Sequence, residues 1–289
     1  MKPAPFDYHR PGSLAEALAI LAGEPGAKVL AGGQSLVPLL SMRLAAPAAL
    51  VDINGLPDLD AVTVTDDGVR VGALARHADV LASTAAAERQ PLLGMALAHV
   101  AHATIRNRGT TVGSLVHADA ASELPVVLRL LGGSVDVASV GGTRTIAADD
   151  LYLGPLESSV APDEIATSAW FPALEPGAGV AFDEVARRHG DYALCGVAAV
   201  VRVEGDRVVS ARAGFVSVAD LPTVVDVTDA LTTVDAAALA DLGDVVLPHL
   251  DPADDVHATA DYRAQLVRVL TARVVGTAYD RARERGTAR

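Results

Sequence analysis

The chain has 289 residues and a formal net charge of −13. Its apolar fraction of 51% is typical of a packed globular protein. This length suggests two or three domains and a core large enough to need neither a disulfide nor a structural metal. The single cysteine, Cys195, excludes an intrachain disulfide, a four-cysteine zinc site and an iron–sulfur cluster held by this chain alone.

Charge and hydropathy exclude further classes. An acidic chain with 3% aromatic residues is a poor candidate for nucleic-acid binding, which needs cations for phosphates and rings for bases. The N-terminus lacks the apolar core of a signal peptide, and no apolar stretch reaches the length of a membrane helix. We therefore expect a cytoplasmic protein with no membrane span.

The first elements alternate between helix and strand. Ser13 and Glu16 have the spacing of a capping box, and the helix that follows is stopped by Gly23 and Pro25. The pattern then predicts a strand, a helix and a strand over residues 28–31, 36–44 and 50–53. This alternation predicts a small α/β unit at the N-terminus.

The remaining pattern is α+β. Alternating β-branched residues predict hairpins, and Ala/Leu-rich stretches predict helices. The predicted hairpins are 62–71, 135–146 and 197–216, and the predicted helices lie in 77–103, in 124–131 and in two stretches after 216. Residues 104–116 are polar and punctuated by glycine, which favours a loop. In the last helix, Tyr262, Leu266, Val269, Leu270 and Val274 form an apolar stripe.

Two polar segments could hold an anion. Gly32-Gly33-Gln34-Ser35 lies between a strand and a helix, where free backbone N–H groups and a hydroxyl attract phosphates. Residues 106–114, RNRGTTVGS, concentrate two arginines, two threonines and a serine around glycines. Taken singly, an ordinary turn and a solvated loop remain alternatives. The first segment has the spacing of neither a Rossmann nor a Walker motif.

Other candidate chemistry is weaker. His99, His102, His117 and Asp119 include a helical i, i+3 pair, but they form no tight set of metal ligands. Cys195 lies in an apolar strand, which favours an inert buried thiol. We therefore expect no metal site and an unreactive cysteine.

In this order and spacing, the motifs resemble the FAD-binding medium subunit of the molybdenum hydroxylases, the family of carbon monoxide dehydrogenase and xanthine dehydrogenase. The resemblance covers nearly the whole chain. It rests on FDYHRP (6–11), AGGQSL (31–36), MRL (42–44), IRNRGT (105–110), DEI (163–165) and FDEVARRHGDYA (182–193).

The resemblance implies the fold. It implies an α+β protein with a two-part FAD-binding region of the vanillyl-alcohol-oxidase (PCMH) type, followed by a C-terminal domain with a three-stranded sheet and helices. The expected domains are 1–175, with subdomains of about 1–55 and 56–175, and 179–289.

The resemblance also implies a set of FAD-binding residues. Residues 29–36 would bind the FAD pyrophosphate through backbone N–H groups, and Thr110, Thr111, Gly113 and Ser114 would form a second pyrophosphate loop. Glu123 would stand at the adenosine end, where the family usually has an aspartate, and Ile165 and Tyr192 would lie near the flavin ring. The full set is Val29, Leu30, Ala31, Gly32, Gly33, Gln34, Ser35, Leu36, Arg106, Thr110, Thr111, Gly113, Ser114, Glu123, Ile165 and Tyr192. Two departures from the family pattern are Val112 in place of a glycine and Asp183-Glu184 where many relatives carry a lysine.

The implied activity is electron transfer in an oxidoreductase complex. An iron–sulfur small subunit with [2Fe–2S] clusters and a large subunit with the molybdenum cofactor would be the partners. FAD would pass electrons to NAD, oxygen or a quinone. Because the cofactor would carry the chemistry, no residue of this chain would need to be catalytic. Two alternatives stay open: a self-sufficient flavin oxidase or dehydrogenase of the same fold, and a partner that has lost its flavin, which Val112 motivates.

Overall fold

The computed structural model describes residues 2–287. The strands are β1 (Asp7–His9), β2 (Ala27–Leu30), β3 (Ala49–Asp52), β4 (Val62–Val64), β5 (Gly68–Gly72), β6 (Ser134–Ser139), β7 (Gly142–Ala147), β8 (Tyr152–Gly154), β9 (Glu157–Ser158), β10 (Ile165–Pro172), β11 (Ala178–Ala186), β12 (Ala193–Glu204), β13 (Arg207–Val216) and β14 (Thr223–Asp226). The helices are α1 (Leu14–Gly23), α2 (Leu36–Met42), α3 (His77–Ala82), α4 (Thr84–Arg89), α5 (Pro91–His99), α6 (Ala103–Arg106), α7 (Thr111–His117), α8 (Glu123–Leu131), α9 (Ala148–Leu151), α10 (Ala236–Val246) and α11 (Ala260–Thr287). Short 3₁₀ helices span Thr228–Leu231 and Leu247–His249.

The N-terminal unit is a parallel three-stranded sheet in the order β1-β3-β2. Its first helix, α1, begins as predicted, since the Ser13 hydroxyl accepts from the Glu16 N–H at 3.2 Å. The Glu16 carboxylate in turn accepts from Gly12 N–H at 2.8 Å. Buried Ala17, Leu18 and Leu21 pack this helix against the sheet. The predicted α/β unit is therefore present.

The middle unit is an antiparallel five-stranded sheet in the order β4-β5-β10-β6-β7. Both predicted hairpins, β4–β5 and β6–β7, lie in it, and the later strand β10 joins them in the centre. Helices α3, α4, α5, α7 and α8 share one large apolar core with the sheet. The predicted helical region 77–103 is divided into separate helices, with Pro91 as the first residue of α5.

The C-terminal domain is an antiparallel sheet in the order β11-β12-β13-β14, covered by the long helix α11 and by α10. The predicted hairpin is β12–β13. The sheet has four strands where the resemblance implied three, because the short strand β14 extends the edge beyond β13. The predicted stripe on α11 is partly wrong: Leu270 and Val274 are buried, but Tyr262 and Val269 are largely exposed.

One sequence prediction of a loop is wrong. Residues 104–116 contain most of α6 and most of α7. The Thr110 hydroxyl caps α7 by accepting from the Gly113 N–H at 3.2 Å. Thr111, Val112 and Leu115 then turn into the large core. The polar composition of this segment predicted a loop, but the segment includes a short capped helix with one buried face.

Helix α8 joins the middle unit to the C-terminal domain. Its Val126 side chain packs on β13 at Gly214, where an added Cβ would lie 2.5 Å from Val126 Cγ1. This close packing fixes the N-terminal end of α8, where Glu123 lies. Within residues 2–287, no helix has the length and apolar character needed to cross a bilayer.

Candidate functional site

A cleft of about 600 Å³ lies where the N-terminal unit, the middle unit and the C-terminal domain meet. This volume is in the usual range for a small-molecule site. Most residues that the sequence singles out line it: Val29, Ala31, Gly32, Gly33, Gln34, Ser35, Leu36, Thr110, Gly113, Ser114, Glu123, Ile165 and Tyr192.

The first loop, residues 31–35, connects β2 to α2. Gly33 has φ +71°, a left-handed conformation that favours glycine. At Gly32 an added Cβ would lie 2.4 Å from the Arg108 carbonyl oxygen, so this loop is in backbone contact with the second loop. Within residues 2–287, the N–H groups of residues 32–35 donate to no other protein group. They are free to bind an anion.

The second loop, residues 108–114, leads into α7. Thr110, Gly113 and Ser114 face the cleft, and the Thr110 hydroxyl already caps the helix. Val112 is 2% exposed and packs into the large core, and its φ is not positive. A β-branched residue is therefore compatible with this backbone, because the first turn of α7 does not need glycine at this position.

Arg106 lies behind the cleft wall. Its guanidinium donates to the carbonyl oxygens of Val100 and Ala101 at 2.9 and 2.8 Å. Ala101 has φ +45°, which is strained for a residue with a side chain. Val100 and Ala101 both line the cleft. Arg106 thus stabilises an irregular turn that forms part of the wall.

Leu30 and Thr111 also lie outside the cleft lining. Leu30 ends β2, and its carbonyl accepts from Ile53 N–H at 3.1 Å. Thr111 is fully buried, and its hydroxyl lies 3.2 Å from Nδ1 of His77. Both residues hold the ends of elements that carry the two loops.

Glu123 is the first residue of α8 and is 7% exposed. Burial, followed by the nearby Glu184 carboxylate, raises the pKa of Glu123 to about 8. Glu184 lies 3.4 Å from Nδ1 of His99 through one oxygen, and the hydrogen bond to Glu184 raises the pKa of His99. Its other oxygen is buried and has no partner within residues 2–287. At neutral pH Glu123 therefore holds a proton and is uncharged.

The other acidic groups of the cleft are neutralised by arginines. Glu164 forms a bidentate pair with Arg144, with both N–O distances 2.7 Å, and Asp191 pairs with Arg188 at 3.0 Å. Lys28 lines the cleft, and no carboxylate in the described part of the chain pairs with it. The cleft is thus favourable for an anion although the chain as a whole is strongly acidic.

The cleft has an apolar side and an exposed aromatic ring. Ile165 begins β10 and is 1% exposed. Tyr192 lies on the loop between β11 and β12 and is 66% exposed. This loop rests on the middle unit through Gly190, where an added Cβ would lie 2.5 Å from Cε1 of His102. The C-terminal domain thereby places an aromatic side chain beside the cleft.

Three polar residues at the site escaped sequence reasoning. His77 lines the cleft, and burial together with Arg106 lowers its pKa to about 4, so its ring is neutral. Asn54 and Arg76 link the two loops by hydrogen bonds. Asn54 lies two residues after β3, Arg76 directly precedes α3, and His77 begins α3. No motif marked these residues, because each acts through contacts distant in sequence.

The remaining candidates show no cluster. Within residues 2–287, no three His, Cys, Asp or Glu side chains are arranged to hold a metal ion. His99 pairs with Glu184, and the His102 ring lies 6.3 Å from that of His189. Cys195 is fully buried, which raises the pKa of its thiol to about 12. A thiol in that environment is unreactive.

Comparison with known proteins covers both halves of the chain. Two family models match: "FAD binding domain in molybdopterin dehydrogenase" over residues 4–174 and "CO dehydrogenase flavoprotein C-terminal domain" over residues 180–278. The alpha subunit of the 6-hydroxypseudooxynicotine dehydrogenase complex of Paenarthrobacter nicotinovorans is 41% identical, with 98% of this chain and 97% of that protein covered. The carbon monoxide dehydrogenase medium chain of Afipia carboxidovorans is 32% identical over 98% of this chain and 100% of that protein.

A solved structure also matches over nearly the whole chain. A chain in the crystal structure of quinoline 2-oxidoreductase from Pseudomonas putida 86 superimposes with a TM-score of 0.91 at 35% identity. The alignment covers 98% of this chain and 100% of that one. The predicted combination of a two-part FAD-binding region and a C-terminal domain is confirmed.

Proposed function

Because the chain belongs to the family of FAD-binding medium subunits of molybdenum hydroxylases, a family of oxidoreductases, we propose that its cleft binds FAD and that it transfers electrons within a larger complex. Electrons would come from [2Fe–2S] clusters of a small subunit and leave through FAD to NAD, oxygen or a quinone. The observation that carries this proposal is the pair of loops that meet at Gly32 and point unused donors into one cleft.

The donors and charges of the cleft fit FAD. The free N–H groups of residues 32–35 and the hydroxyls of Ser35 and Ser114 suit an anionic pyrophosphate. Lys28 adds positive charge, and paired or protonated carboxyls remove the repulsion that an acidic chain would otherwise exert. A cleft of about 600 Å³ with an apolar wall at Ile165 suits a flat aromatic ring system.

Each group of residues has a role in this proposal. Val29 and residues 31–36, with Thr110, Gly113 and Ser114, bind the pyrophosphate, while Ile165 and Tyr192 contact the ring system. Glu123 holds a proton on a carboxyl group that faces the cleft and can donate one hydrogen bond. Leu30, Arg106 and Thr111 support the loops from behind. FAD supplies the redox chemistry, and no side chain of this protein acts as a general acid or base.

The partners follow from the composition of the chain and from its relatives. A single buried cysteine cannot hold an iron–sulfur cluster, so the clusters belong to another subunit. The three relatives are named for different substrates although they share this fold. This supports a molybdenum-cofactor subunit elsewhere in the complex that selects the substrate. A cytoplasmic location belongs to the same proposal.

The test is purification of the tagged chain from its native host, followed by assay of flavin, iron and molybdenum. We expect FAD released intact by heat, together with iron and molybdenum that are absent from the chain produced alone. A flavoprotein without metals whose flavin is bleached directly by a small substrate would instead establish a self-sufficient oxidase or dehydrogenase. A chain without flavin in either preparation would contradict the proposal.

A further inference from the structure

The two loops of the cleft belong to different units of the fold. The first loop follows the parallel sheet of the N-terminal unit, and the second precedes α7 of the middle unit. Their direct contact is between backbone atoms, at Gly32 and the Arg108 carbonyl. An apolar cluster joins the two units behind the loops, with Ala31 packed against it, and polar side chains connect the loops themselves.

Asn54 fixes the first loop. Its side-chain amide donates to the Ala31 carbonyl at 2.8 Å and to Asp52 Oδ1 at 2.6 Å. Its backbone N–H also donates to Asp52 Oδ1, at 2.9 Å. Asp52 ends β3 and accepts a hydrogen bond from the Tyr8 hydroxyl of β1. The amide is thus oriented by the parallel sheet.

Arg76 completes the connection. Its guanidinium donates to Asn54 Oδ1 at 2.8 Å and to the Arg108 carbonyl at 2.7 Å. Its main chain pairs with Thr110, and the adjacent His77 N–H donates to the Gly109 carbonyl at 3.0 Å. One residue therefore holds the second loop through its backbone and the first loop, by way of Asn54, through its side chain.

We propose that Arg76 and Asn54 are positioning residues that hold the two loops at the separation needed to bind FAD from both sides. This inference rests on the proposed function. A preformed site avoids the entropy cost of ordering two loops when the ligand binds. Within residues 2–287, no carboxylate pairs with the Arg76 guanidinium. Its charge therefore also favours an anion in the adjacent cleft.

The test is titration of the flavin-free chain with FAD, followed by flavin fluorescence, in wild type, Arg76→Met, Asn54→Ala and the double variant. Each single change should weaken affinity by about 10- to 100-fold, the loss typical for a hydrogen bond to a charged group. The double variant should be no weaker than the poorer single variant, because both changes break one connection. Arg89→Met is the matched control, since Arg89 pairs with Asp66 outside the cleft, and it should leave affinity unchanged.

Arg76→Lys separates position from charge and also serves if Arg76→Met fails to fold. Lysine keeps the charge but lacks the fork, so it should recover only part of the affinity. Wild-type affinity in Arg76→Lys or in Asn54→Ala would overturn the proposal, as would losses that multiply in the double variant. Failure of the folded wild-type chain to bind FAD would instead overturn the proposed function.

Discussion

Glu123→Gln should stabilise the protein at alkaline pH. The carboxyl group is nearly buried, and burial and Glu184 raise its pKa from 4.5 to about 8. A raised carboxyl pKa means that the folded state favours the neutral form. The resulting contribution to stability is fully present below the unfolded pKa of 4.5 and is lost as the pH rises through about 8.

The size of the effect follows from the pKa. At about 1.4 kcal/mol for each pH unit, the change from 4.5 to about 8 corresponds to at most about 5 kcal/mol. Glutamine has a similar shape and cannot ionise, so the variant does not lose this stability as the pH rises. The difference in free energy of unfolding between variant and wild type should grow by about 1.4 kcal/mol per pH unit between about pH 5 and about pH 8, then level off.

Urea unfolding of the flavin-free chain, followed by circular dichroism across this pH range, measures the difference directly. Glu88→Gln is the control, because Glu88 is exposed on α4 and its replacement should give a nearly constant difference. A Glu123→Gln difference that does not change with pH would refute the assignment of a buried, protonated carboxyl group at the start of α8.

Three further outcomes are expected. Gly33→Val should abolish FAD retention in a folded chain. Gly132→Val imposes the same kind of backbone strain, at φ +68° and with no atom within 4 Å of the added Cβ, and should keep FAD. Normal flavin content in Gly33→Val would remove the first loop from the site. Tyr192→Ala should shift the flavin absorption spectrum or the rate of acceptor reduction while FAD stays bound; an unchanged spectrum and rate would exclude Tyr192. Cys195 should resist thiol reagents at about pH 8 until the chain unfolds, and rapid labelling of the native protein would contradict its burial.

Local patterns in the sequence predicted much of the fold. The capping pattern at Ser13 and the alternating residues of 62–71, 135–146 and 197–216 each predicted an element correctly, because the determining contacts lie within a few residues. The sequence analysis did not predict the short helix α7. Thr110 caps this helix and Thr111 is buried in it, and polar composition alone reveals neither role. The apolar stripe predicted on α11 includes the exposed Val269 for a related reason: helical spacing alone does not fix which face of a long helix meets the sheet.

The candidate site combines two loops that motifs indicated with contacts between residues distant in sequence. Glycines and hydroxyls identified both loops, and the structure brings them to one cleft. The pairs that neutralise the cleft could not be predicted, because partners such as Arg144 and Glu164 are 20 residues apart and meet only when the chain folds. The same holds for Asn54 and Arg76, which are 22 residues apart.

Titration of the purified, flavin-free chain with FAD tests the central claim most directly. We expect saturable, stoichiometric binding by wild type. Binding should be lost in a folded Gly32→Ala variant, because the added Cβ would lie 2.4 Å from the Arg108 carbonyl and force the two loops apart. No binding by the folded wild-type chain, or equal binding by Gly32→Ala, would contradict the assignment of this cleft to FAD.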